Sequence, residues 1–471
     1  RMLQRQLGRH PALARYIRRG ARFMGRWILR PLLRLVPPAS AGDAVMPSPV
    51  RLEATIVVPG VGAMVFAGAS GQVVAAAIVV GDCRIEAPAA PARTPLVRLG
   101  RSGIGAFFPS DASLPRDAVL ELRLRDGSVI QRLLPPLVTV DPMPAIRGML
   151  ARVAERPEET PALLRDHIGP AVDACWAAYG RTPVEANEKT FGTPPIAPEV
   201  SIVIPLYGRM DFLLHQAAHF SNDPNLLARA ELIYVLDDPP KPQEVERLAR
   251  IALAVYGVPI RLLLLSRNCG YSGANNAGVR VARGKQLLLL NSDVLPLGPG
   301  WLGELLATQR QLPQCGALGC RLVFDDETLQ HAGMVFTPFL PFDAWLCDHP
   351  GKGEPTGIES LTATPREVAA VTGACLLLRR EIFEAVGGLS EDYVLGDFED
   401  ADLCHRIAGL GLRIWYDPRI TLLHLERQSF GLVGDGDWRY ALTLCNMLRH
   451  ARLWRRRLQS LAPMPVVQEC V

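Results

Sequence analysis

The stretch that decides the fold is KQLLLLNSDVLP, residues 285–296. Four consecutive leucines, Leu287–Leu290, lead directly into Asn291, Ser292 and Asp293. A short run that is apolar on every side is typical of a strand buried on both faces of a sheet. Because Asn, Ser and Asp are common turn residues, the simplest interpretation of the polar end is an ordinary turn. The alternative is that the strand ends on a functional carboxylate.

Similar apolar runs recur on either side of helical patterns. The runs are VSIVIPLY (200–207), ELIYVLDD (231–238) and IRLLLL (260–265), and the helical patterns are EVERLARIALAVY (244–256) and GANNAGVRVARG (273–284). Apolar strands that alternate with helices predict an α/β domain with a mostly parallel sheet flanked by helices. In such sheets ligands bind at the carboxyl ends of the strands.

Acidic residues gather where these strands end. Asp237 and Asp238 close one strand and Asp293 closes another, and a third acidic group lies in GDFEDADL, residues 396–403. Three acidic sites around one sheet edge indicate a metal or a cationic transition state, and oxygen ligands of this kind suit Mg²⁺ or Mn²⁺.

Several motifs follow one another in an order that is specific in combination. They are VSIVIPLYGR, YVLDDP, SRNCGYSGANNAGVRVARG, LLLLNSD, VTGACLLLRREIFEAVGGLSEDY, GDFEDADLCHRI and LLHLERQS. On these motifs, residues 200–430 resemble the family-2 glycosyltransferases with a GT-A fold, in particular the bacterial rhamnosyltransferase-like branch. The resemblance covers about half of the chain and implies a nucleotide-sugar domain.

The resemblance also implies the catalytic and metal residues. Asp400 is the implied base that takes a proton from the attacking sugar hydroxyl, and Glu399 is implied to position the acceptor. Asp293 is implied to hold Mn²⁺ or Mg²⁺ against the diphosphate, with His424 completing the metal site. The alternative for Asp400 is helix capping, since Asp397 and Asp400 have the spacing of a capping pair.

The remaining implied residues bind the nucleotide sugar. They are Pro205, Tyr207, Asp237, Asn268, Gly270, Asn276 and Asn291. Asn291 stands where the family has the first aspartate of its D-x-D motif, and it can form a hydrogen bond without adding negative charge.

Composition and pattern divide the chain into five parts. We expect a basic amphipathic arm and linker at 1–42, a small β-sandwich at 50–138, a helical segment and linker at 142–197, the GT-A domain at 198–430, and a C-terminal basic helix at 431–471. In the sandwich, AVLELRLRDGSVIQRLL (118–134) predicts a hairpin, and GRSGIG (100–105) is interpreted as a loop. Residues 55–81 are interpreted as strands rather than as a membrane span, because Pro and Gly interrupt them.

Charge is distributed unevenly along the 471 residues, whose net charge is +4. Residues 1–42 contain ten arginines and no acid, so the rest of the chain is acidic. Such an arm suits an anionic membrane surface or packs on its own protein, whereas nucleic-acid binding is not expected. The ten cysteines form no framework, which is typical of a reducing compartment. We therefore expect a cytoplasmic protein that attaches peripherally to the inner face of the membrane.

The expected activity is that of an inverting, metal-dependent hexosyl- or deoxyhexosyltransferase. It would move a sugar from a nucleotide-linked donor to a glycan or lipid-linked glycan during cell-surface polysaccharide synthesis. An alternative is a degenerate transferase-like protein that only binds a glycan or a nucleotide, which Asn291 favours and an intact Glu399–Asp400 pair opposes. A dinucleotide-dependent oxidoreductase would need G-x-G-x-x-G after the first strand, and PLYGRMDF lacks it.

Overall fold

The structure, a computed structural model, describes residues 50–69, 73–96, 101–111, 114–115, 117–134, 138–153, 160–356, 364–425 and 437–463. These residues belong to one compact unit, Pro49–Val471. The predicted arm at 1–42 lies outside the described residues and stays a prediction. No helix within the described ranges is both long enough and apolar enough to cross a membrane.

The described part before the first helix consists of two sheets in which almost all strand pairs are antiparallel. Its strands are β1 (Val50–Val58), β2 (Gly62–Ala69), β3 (Val73–Val80), β4 (Cys83–Glu86), β5 (Ala92–Leu96), β6 (Arg101–Pro109), β7 (Val119–Leu124), β8 (Val129–Leu133) and β9 (Val138–Thr139). One sheet has the order β5-β6-β2-β1-β9 and the other β4-β3-β7-β8. Leu120 and Leu122 of the predicted hairpin are buried in a core shared with Val65 and Phe108 of the facing sheet. The predicted β-sandwich is confirmed.

The interpretation of GRSGIG as a loop is wrong, because most of this segment forms the start of β6. Gly105 serves a close approach rather than a turn. A Cβ on Gly105 would lie 2.5 Å from a methyl carbon of Leu163, which belongs to the helical segment that follows the sandwich.

That helical segment joins the sandwich to the larger domain through a common core. It comprises α1 (Pro142–Leu150), then a helical turn (Pro161–Leu163) and a π-helical turn (Leu164–Ile168) that lead into α2 (Gly169–Gly180). Ile146 and Leu164 are fully buried together with Phe66 of the sandwich and Tyr393 of the larger domain. The expectation of a helical segment and linker at 142–197 missed one element, because Ala186–Phe191 forms β10 at the edge of the large sheet.

The larger domain is an eleven-stranded sheet flanked by helices. Besides β10, its strands are β11 (Val200–Leu206), β12 (Ala230–Leu236), β13 (Ile260–Leu265), β14 (Gln286–Leu290), β15 (Val294–Pro296), β16 (Cys315–Val323), β17 (Leu329–His331), β20 (Arg366–Glu367), β21 (Cys375–Arg379) and β22 (Arg413–His424). A separate two-stranded sheet consists of β18 (Val335–Phe339) and β19 (Ala344–Asp348), which are joined by a 3₁₀ turn (Leu340–Phe342). Its helices are α3 (Phe212–Phe220), α4 (Pro224–Arg229), α5 (Pro242–Tyr256), α6 (Gly270–Val281), α7 (Trp301–Gln311), α8 (Arg380–Ala385), α9 (Glu399–Gly409) and α10 (Asp437–Leu461).

The sheet order places a ligand crevice. The main path runs β10-β13-β12-β11-β14-β21-β16-β22-β15, and the four neighbours β13, β12, β11 and β14 are parallel. The chain order reverses between β11 and β14, which is the switch point where open α/β sheets bind ligands beyond the strand ends. Leu287–Leu290 of β14 are fully buried, as predicted. The α/β fold class is confirmed, but the sheet is mixed rather than mostly parallel, because β10, β15 and β21 pair antiparallel.

The C-terminal helix α10 turns both its apolar side and much of its charge toward the protein. Leu444 and Leu458 are buried in the main core. Arg449 forms a salt bridge with Asp173 of α2, and Arg455 lies 2.7 Å from Asp343. The basic residues at this end of the chain therefore tie elements together, and they are less available to an anionic surface than the sequence pattern predicts.

Candidate active site

A buried polar side chain fixes the turn that follows β14 by hydrogen bonds. The side-chain amide of Gln216, on α3, donates to the carbonyl oxygens of Asn291 and Val294, both at 2.9 Å. The hydroxyl of Tyr234 donates in turn to the amide oxygen of Gln216 at 3.0 Å. The Oδ1 atom of Asn291 is buried and has no hydrogen-bond partner among the described residues. Residues 291–293 therefore form a turn that is fixed by hydrogen bonds from Gln216, and in which the Oδ1 atom of Asn291 remains available as an acceptor.

Asp293 lies beside His424 because β15 pairs with β22 in a register that sets Val294 opposite His424. The Nε2 atom of His424 is 3.4 Å from Oδ1 of Asp293. The other ring nitrogen of His424 is buried without a hydrogen-bond partner in the described structure. The sequence-predicted metal residues are thus brought together.

This pair fits an open site for a divalent cation. Across the described ranges there is no group of three or more His, Cys, Asp or Glu side chains that could hold a metal by themselves. Mg²⁺ and similar ions are commonly held by one or two protein ligands, with water and substrate phosphates supplying the rest. Asp293 and His424 match that donor set.

Asp400 lies in the first turn of α9 with both carboxylate oxygens engaged. The backbone N–H of Gly373 donates to Oδ2 at 2.9 Å, and that of Ala401 donates to Oδ1 at 2.7 Å. Burial raises the pKa of Asp400, while these two N–H groups oppose the rise. Phe398, not Asp397, occupies the position before the helix, so the capping alternative that pairs Asp397 with Asp400 is wrong.

Glu399 has a different environment from its neighbour. Burial and the charge of Asp400 raise the pKa of Glu399 well above its ordinary range, and its Oε2 atom has no hydrogen-bond partner in the described part. Asp400 receives two backbone donors and Glu399 lacks a partner at Oε2, so the charged form is favoured more at Asp400 than at Glu399. Neighbouring carboxyl groups driven apart in this way divide into an acid and a base.

The segment just before β21 contacts both Asp400 and the turn that follows β14. Leu290 pairs with Cys375 at the end of β14, and the N–H of Asn291 donates to the carbonyl of Ala374 at 3.0 Å. The residue before Ala374 is Gly373, whose N–H binds Asp400. The residues directly before β21 therefore connect Asp400 to the turn that carries Asp293.

Asp237 is placed at the end of β12, as expected, and is 3% exposed. Its Oδ1 atom accepts the N–H of Cys269 at 2.6 Å, and burial raises its pKa to about 8. Asp238 instead accepts the N–H of Gly208 at 3.2 Å. Asp237 thus fixes the loop that begins α6, and its contact with a nucleotide base stays a prediction.

Two of the predicted donor-binding residues are used inside the protein. The side chain of Asn276 donates to the carbonyl of Leu389 and to Glu391, both at 2.9 Å, and accepts the N–H of Leu389 at 3.0 Å. Asn268 accepts the N–H of Gly270 at 3.0 Å through its side-chain oxygen. We therefore revise Asn276 to a residue that positions the loop after α8.

Two further residues predicted to bind the nucleotide sugar lie at the end of β11. Pro205 lies in β11 and Tyr207 directly follows that strand, both half-buried. Tyr207 also lies near Arg439 of α10, where burial lowers the pKa of the guanidinium and Tyr207 opposes the shift.

Part of the chain matches a known protein family. Residues 201–387 match the model for glycosyl transferase family 2. This part of the chain is a family 2 glycosyltransferase domain. The match begins in β11 and ends just after α8, so the glycosyltransferase model covers Asp237 and Asp293 but stops short of Glu399, Asp400 and His424.

Relatives of the glycosyltransferase domain include two bacterial proteins of different length. An O-antigen biosynthesis protein of Myxococcus xanthus is 34% identical over 242 residues, which are 49% of this chain and 18% of that protein. The N-acetylglucosaminyl-diphospho-decaprenol L-rhamnosyltransferase of Mycobacterium tuberculosis is 30% identical over 197 residues, covering 36% of this chain and 61% of the relative. The chain thus spans less than two thirds of either relative.

Among solved structures, GalNAc-T7 with UDP, GalNAc and Mn²⁺ is similar to the chain with a TM-score of 0.42 and 16% sequence identity. The alignment covers 55% of this chain and 49% of that protein.

Sequence reasoning missed the residues that support the glycosyltransferase site. Gln216 had a signal, since it is a lone amide between the buried Leu213 and Ala217 on the apolar side of α3. Tyr271, whose hydroxyl donates to the carbonyl of Gly373 at 2.7 Å, had no local signal. The contact of Tyr271 with Gly373 is seen only in the folded structure, where α6 lies beside the start of β21.

Proposed function

We propose that the chain is an inverting, metal-dependent glycosyltransferase that moves a hexosyl or deoxyhexosyl group from a nucleotide-sugar donor to a hydroxyl of a glycan or lipid-linked glycan. The observation that carries the proposal is the position of Asp400, whose carboxylate accepts the backbone N–H groups of Gly373 and Ala401 beside a region that matches the glycosyl transferase family 2 model. A carboxylate held in this way is suited to take a proton from an attacking hydroxyl.

In this mechanism Asp400 accepts the hydroxyl proton while the acceptor oxygen attacks the anomeric carbon. The backbone N–H groups of Gly373 and Ala401 hold the carboxylate in place. A single displacement with a single base inverts the anomeric configuration. Glu399, whose pKa is raised by burial and by the charge of Asp400, is suited to donate a hydrogen bond to the acceptor sugar.

Asp293 and His424 would hold a divalent cation, Mn²⁺ or Mg²⁺, on the donor side. Bound there, the cation would neutralise charge on the departing nucleoside diphosphate. Asn291, with its open and buried Oδ1 atom, contributes an acceptor without charge beside this pair. Pro205, Tyr207 and Asp237 form the nucleotide side at the ends of β11 and β12.

The names of the relatives support the acceptor class. One relative is named for O-antigen biosynthesis and another for rhamnosyl transfer to a diphospho-decaprenol-linked sugar. A cell-surface polysaccharide, or its lipid-linked precursor, is the acceptor class that agrees with both. The basic arm at 1–36 would bring the protein to the cytoplasmic face of the membrane, where such a precursor is accessible.

A screen of nucleotide sugars tests the proposal. We expect hydrolysis or transfer with one or a few dTDP-, UDP- or GDP-linked sugars, and a clear loss of rate when the divalent cation is chelated. Tight nucleotide binding without turnover of any donor, tested with glycan and lipid-linked acceptors, would instead indicate the degenerate binding protein.

A further inference from the structure

The chain reaches Glu399 and Asp400 through a turn of unusual backbone conformation. Leu395, Gly396, Asp397 and Phe398 have φ angles of 61°, 149°, 78° and 77°. Three of these four residues carry side chains, which disfavour this region of backbone space. Such a run persists only where the surrounding structure fixes it, and strained turns of this kind concentrate at functional sites.

One side chain on α10 makes most of the contacts that fix the turn. Asn446 is 1% exposed, and its Oδ1 atom accepts the N–H of Val394 at 3.1 Å. Its amide nitrogen donates to the carbonyls of Val394 at 3.1 Å and Gly396 at 2.5 Å. A primary amide offers both an acceptor and two donors, so no carboxylate or hydroxyl side chain of similar size can replace all three bonds.

Two further contacts hold the same turn from either side. The hydroxyl of Thr443, also on α10, donates to Asp397 at 2.6 Å. On the opposite side the N–H of Tyr271 donates to the carbonyl of Leu395 at 2.9 Å. A Cβ on Gly270 would lie 2.8 Å from the Cα of Leu395, so the turn packs directly against the start of α6.

The turn passes its geometry straight to the catalytic helix. The carbonyl of Phe398 accepts the N–H of Asp402 at 2.9 Å, which is the first hydrogen bond of α9. Glu399 and Asp400 are the first two residues of that helix. A change in the turn therefore rotates or shifts both carboxyl groups relative to the strand end at Gly373.

We propose that Asn446 is a positioning residue for Asp400, acting from a helix that lies beyond the part of the chain matched by the family model. The inference rests on the proposed function and adds to it a residue for which neither the sequence motifs nor the family match provides a role. Asn446 does not touch the reacting atoms. It determines the position of the Asp400 carboxylate by fixing residues 394–396 through hydrogen bonds.

The test compares Asn446→Ala and Asn446→Asp with Met447→Ala in the full chain. Met447 is the next residue of α10 and is fully buried, so its truncation loosens the same helix without touching the turn. Asn446→Asp keeps the size of the side chain and one acceptor but loses both donors. We expect kcat to fall by about 10- to 100-fold in both Asn446 variants with the donor KM within about twofold of wild type, because small misplacements of a catalytic group cost about this much.

Met447→Ala should lower the midpoint of thermal unfolding while leaving kcat within about threefold of wild type, since it affects packing alone. Thr443→Val, which removes only the bond to Asp397, should give a smaller loss of kcat than Asn446→Asp. If Asn446→Ala does not fold, the comparison of Asn446→Asp and Thr443→Val with Met447→Ala decides in the same way.

Two results overturn the inference. Normal kcat in Asn446→Asp would show that the turn does not depend on the amide, and an equal loss of kcat in Met447→Ala would reduce Asn446 to a structural residue. Both are distinct from failure of the proposed function, which is absence of turnover by the wild-type chain with every donor and acceptor, and which would remove the inference together with its basis.

Discussion

The Nε2 atom of His424 lies 3.4 Å from Oδ1 of Asp293, where β22 runs beside β15. The two side chains come from positions far apart in the sequence, and the antiparallel register alone brings them together. Neither has a third metal-binding side chain beside it among the described residues. We therefore expect the pair to bind a cation weakly alone and more strongly when a diphosphate is present.

We predict that Asp293→Ala and His424→Ala each weaken Mn²⁺-dependent binding of a nucleoside diphosphate by about tenfold or more, as loss of a metal-site residue commonly does. Because both act on one ion, the double variant should lose less than the product of the two effects. Titration calorimetry with and without Mn²⁺ measures all three. Asp325→Ala, which removes an exposed carboxylate from a surface turn, is the control and should bind normally. Unchanged affinity in the first two variants would leave the turn after β14 without a metal role.

Replacing Asp400 by Asn should abolish turnover while sparing the fold. Loss of a general base typically lowers the rate by about 10²- to 10⁴-fold. An asparagine oxygen can still accept one of the two backbone N–H groups, whereas its amide nitrogen faces the other as a second donor. Thermal stability should therefore fall modestly while donor affinity stays close to wild type. The check is kcat together with nucleotide binding for the same preparation.

Asp402→Asn is the matched control for Asp400, because it makes the same chemical change in the same turn of α9. Asp402 is paired with Arg406 at 2.7 Å and accepts the indole N–H of Trp454 at 2.8 Å, so both its contacts lie within the protein. This variant should unfold at a lower temperature yet retain most of its kcat. Near-normal turnover in Asp400→Asn would remove Asp400 from the mechanism.

The buried Asp237 should make the stability of the protein depend on pH. Burial raises its pKa to about 8 in the folded state, whereas the unfolded value is about 4. Between these values the folded state holds more protons than the unfolded state. The contribution of this group is therefore fully present below about pH 4 and is lost as the pH rises toward 8.

Asp237→Asn should flatten this part of the profile, since the amide cannot ionise and can still accept the N–H of Cys269. The wild-type slope from this group is at most about 1.4 kcal/mol per pH unit. Urea unfolding at several pH values between 5 and 8, followed for both proteins, measures the difference. Parallel profiles for the two proteins would show that Asp237 is ionised throughout that range.

The basic arm predicts salt-sensitive binding to anionic vesicles. Each basic residue near such a surface contributes about 1 kcal/mol, and salt screens the attraction. Deletion of residues 1–36 should sharply reduce vesicle binding while nucleotide binding is unchanged. Arg452→Ala should have little effect by comparison, because it removes a single charge and Arg452 already forms a surface ion pair with Asp173 of α2 at 3.4 Å. If the intact chain ignores anionic vesicles at low salt, peripheral attachment is excluded.

The sheet and its helices were predictable because their sequence patterns are strong and local. Leu287–Leu290 is apolar on every side, and α5 follows the helical pattern that begins at Glu244. Strand β10 was missed because Ala186–Phe191 is a largely exposed edge strand that has no buried face to give it a pattern. Its identity depends on pairing with β13, far along the chain.

The same distinction separates the site residues. Asp293, Asp400 and His424 belong to motifs and could be named from the sequence, although their partners could not. Asn276 was assigned to the donor because it lies in such a motif, but the structure uses its amide to hold Leu389. Asn446 contacts residues about fifty positions away, so only the folded chain reveals what it does.

The end of the family match at residue 387 has a practical meaning for anyone who exchanges parts between such proteins. A chimaera joined at that point would take its proposed nucleotide site from one parent, and its proposed proton acceptor, its proposed second metal residue and Asn446 from the other. We therefore expect an exchange to succeed only if the exchanged part extends to the end of α10 at Leu461, so that this helix stays with the turn it contacts.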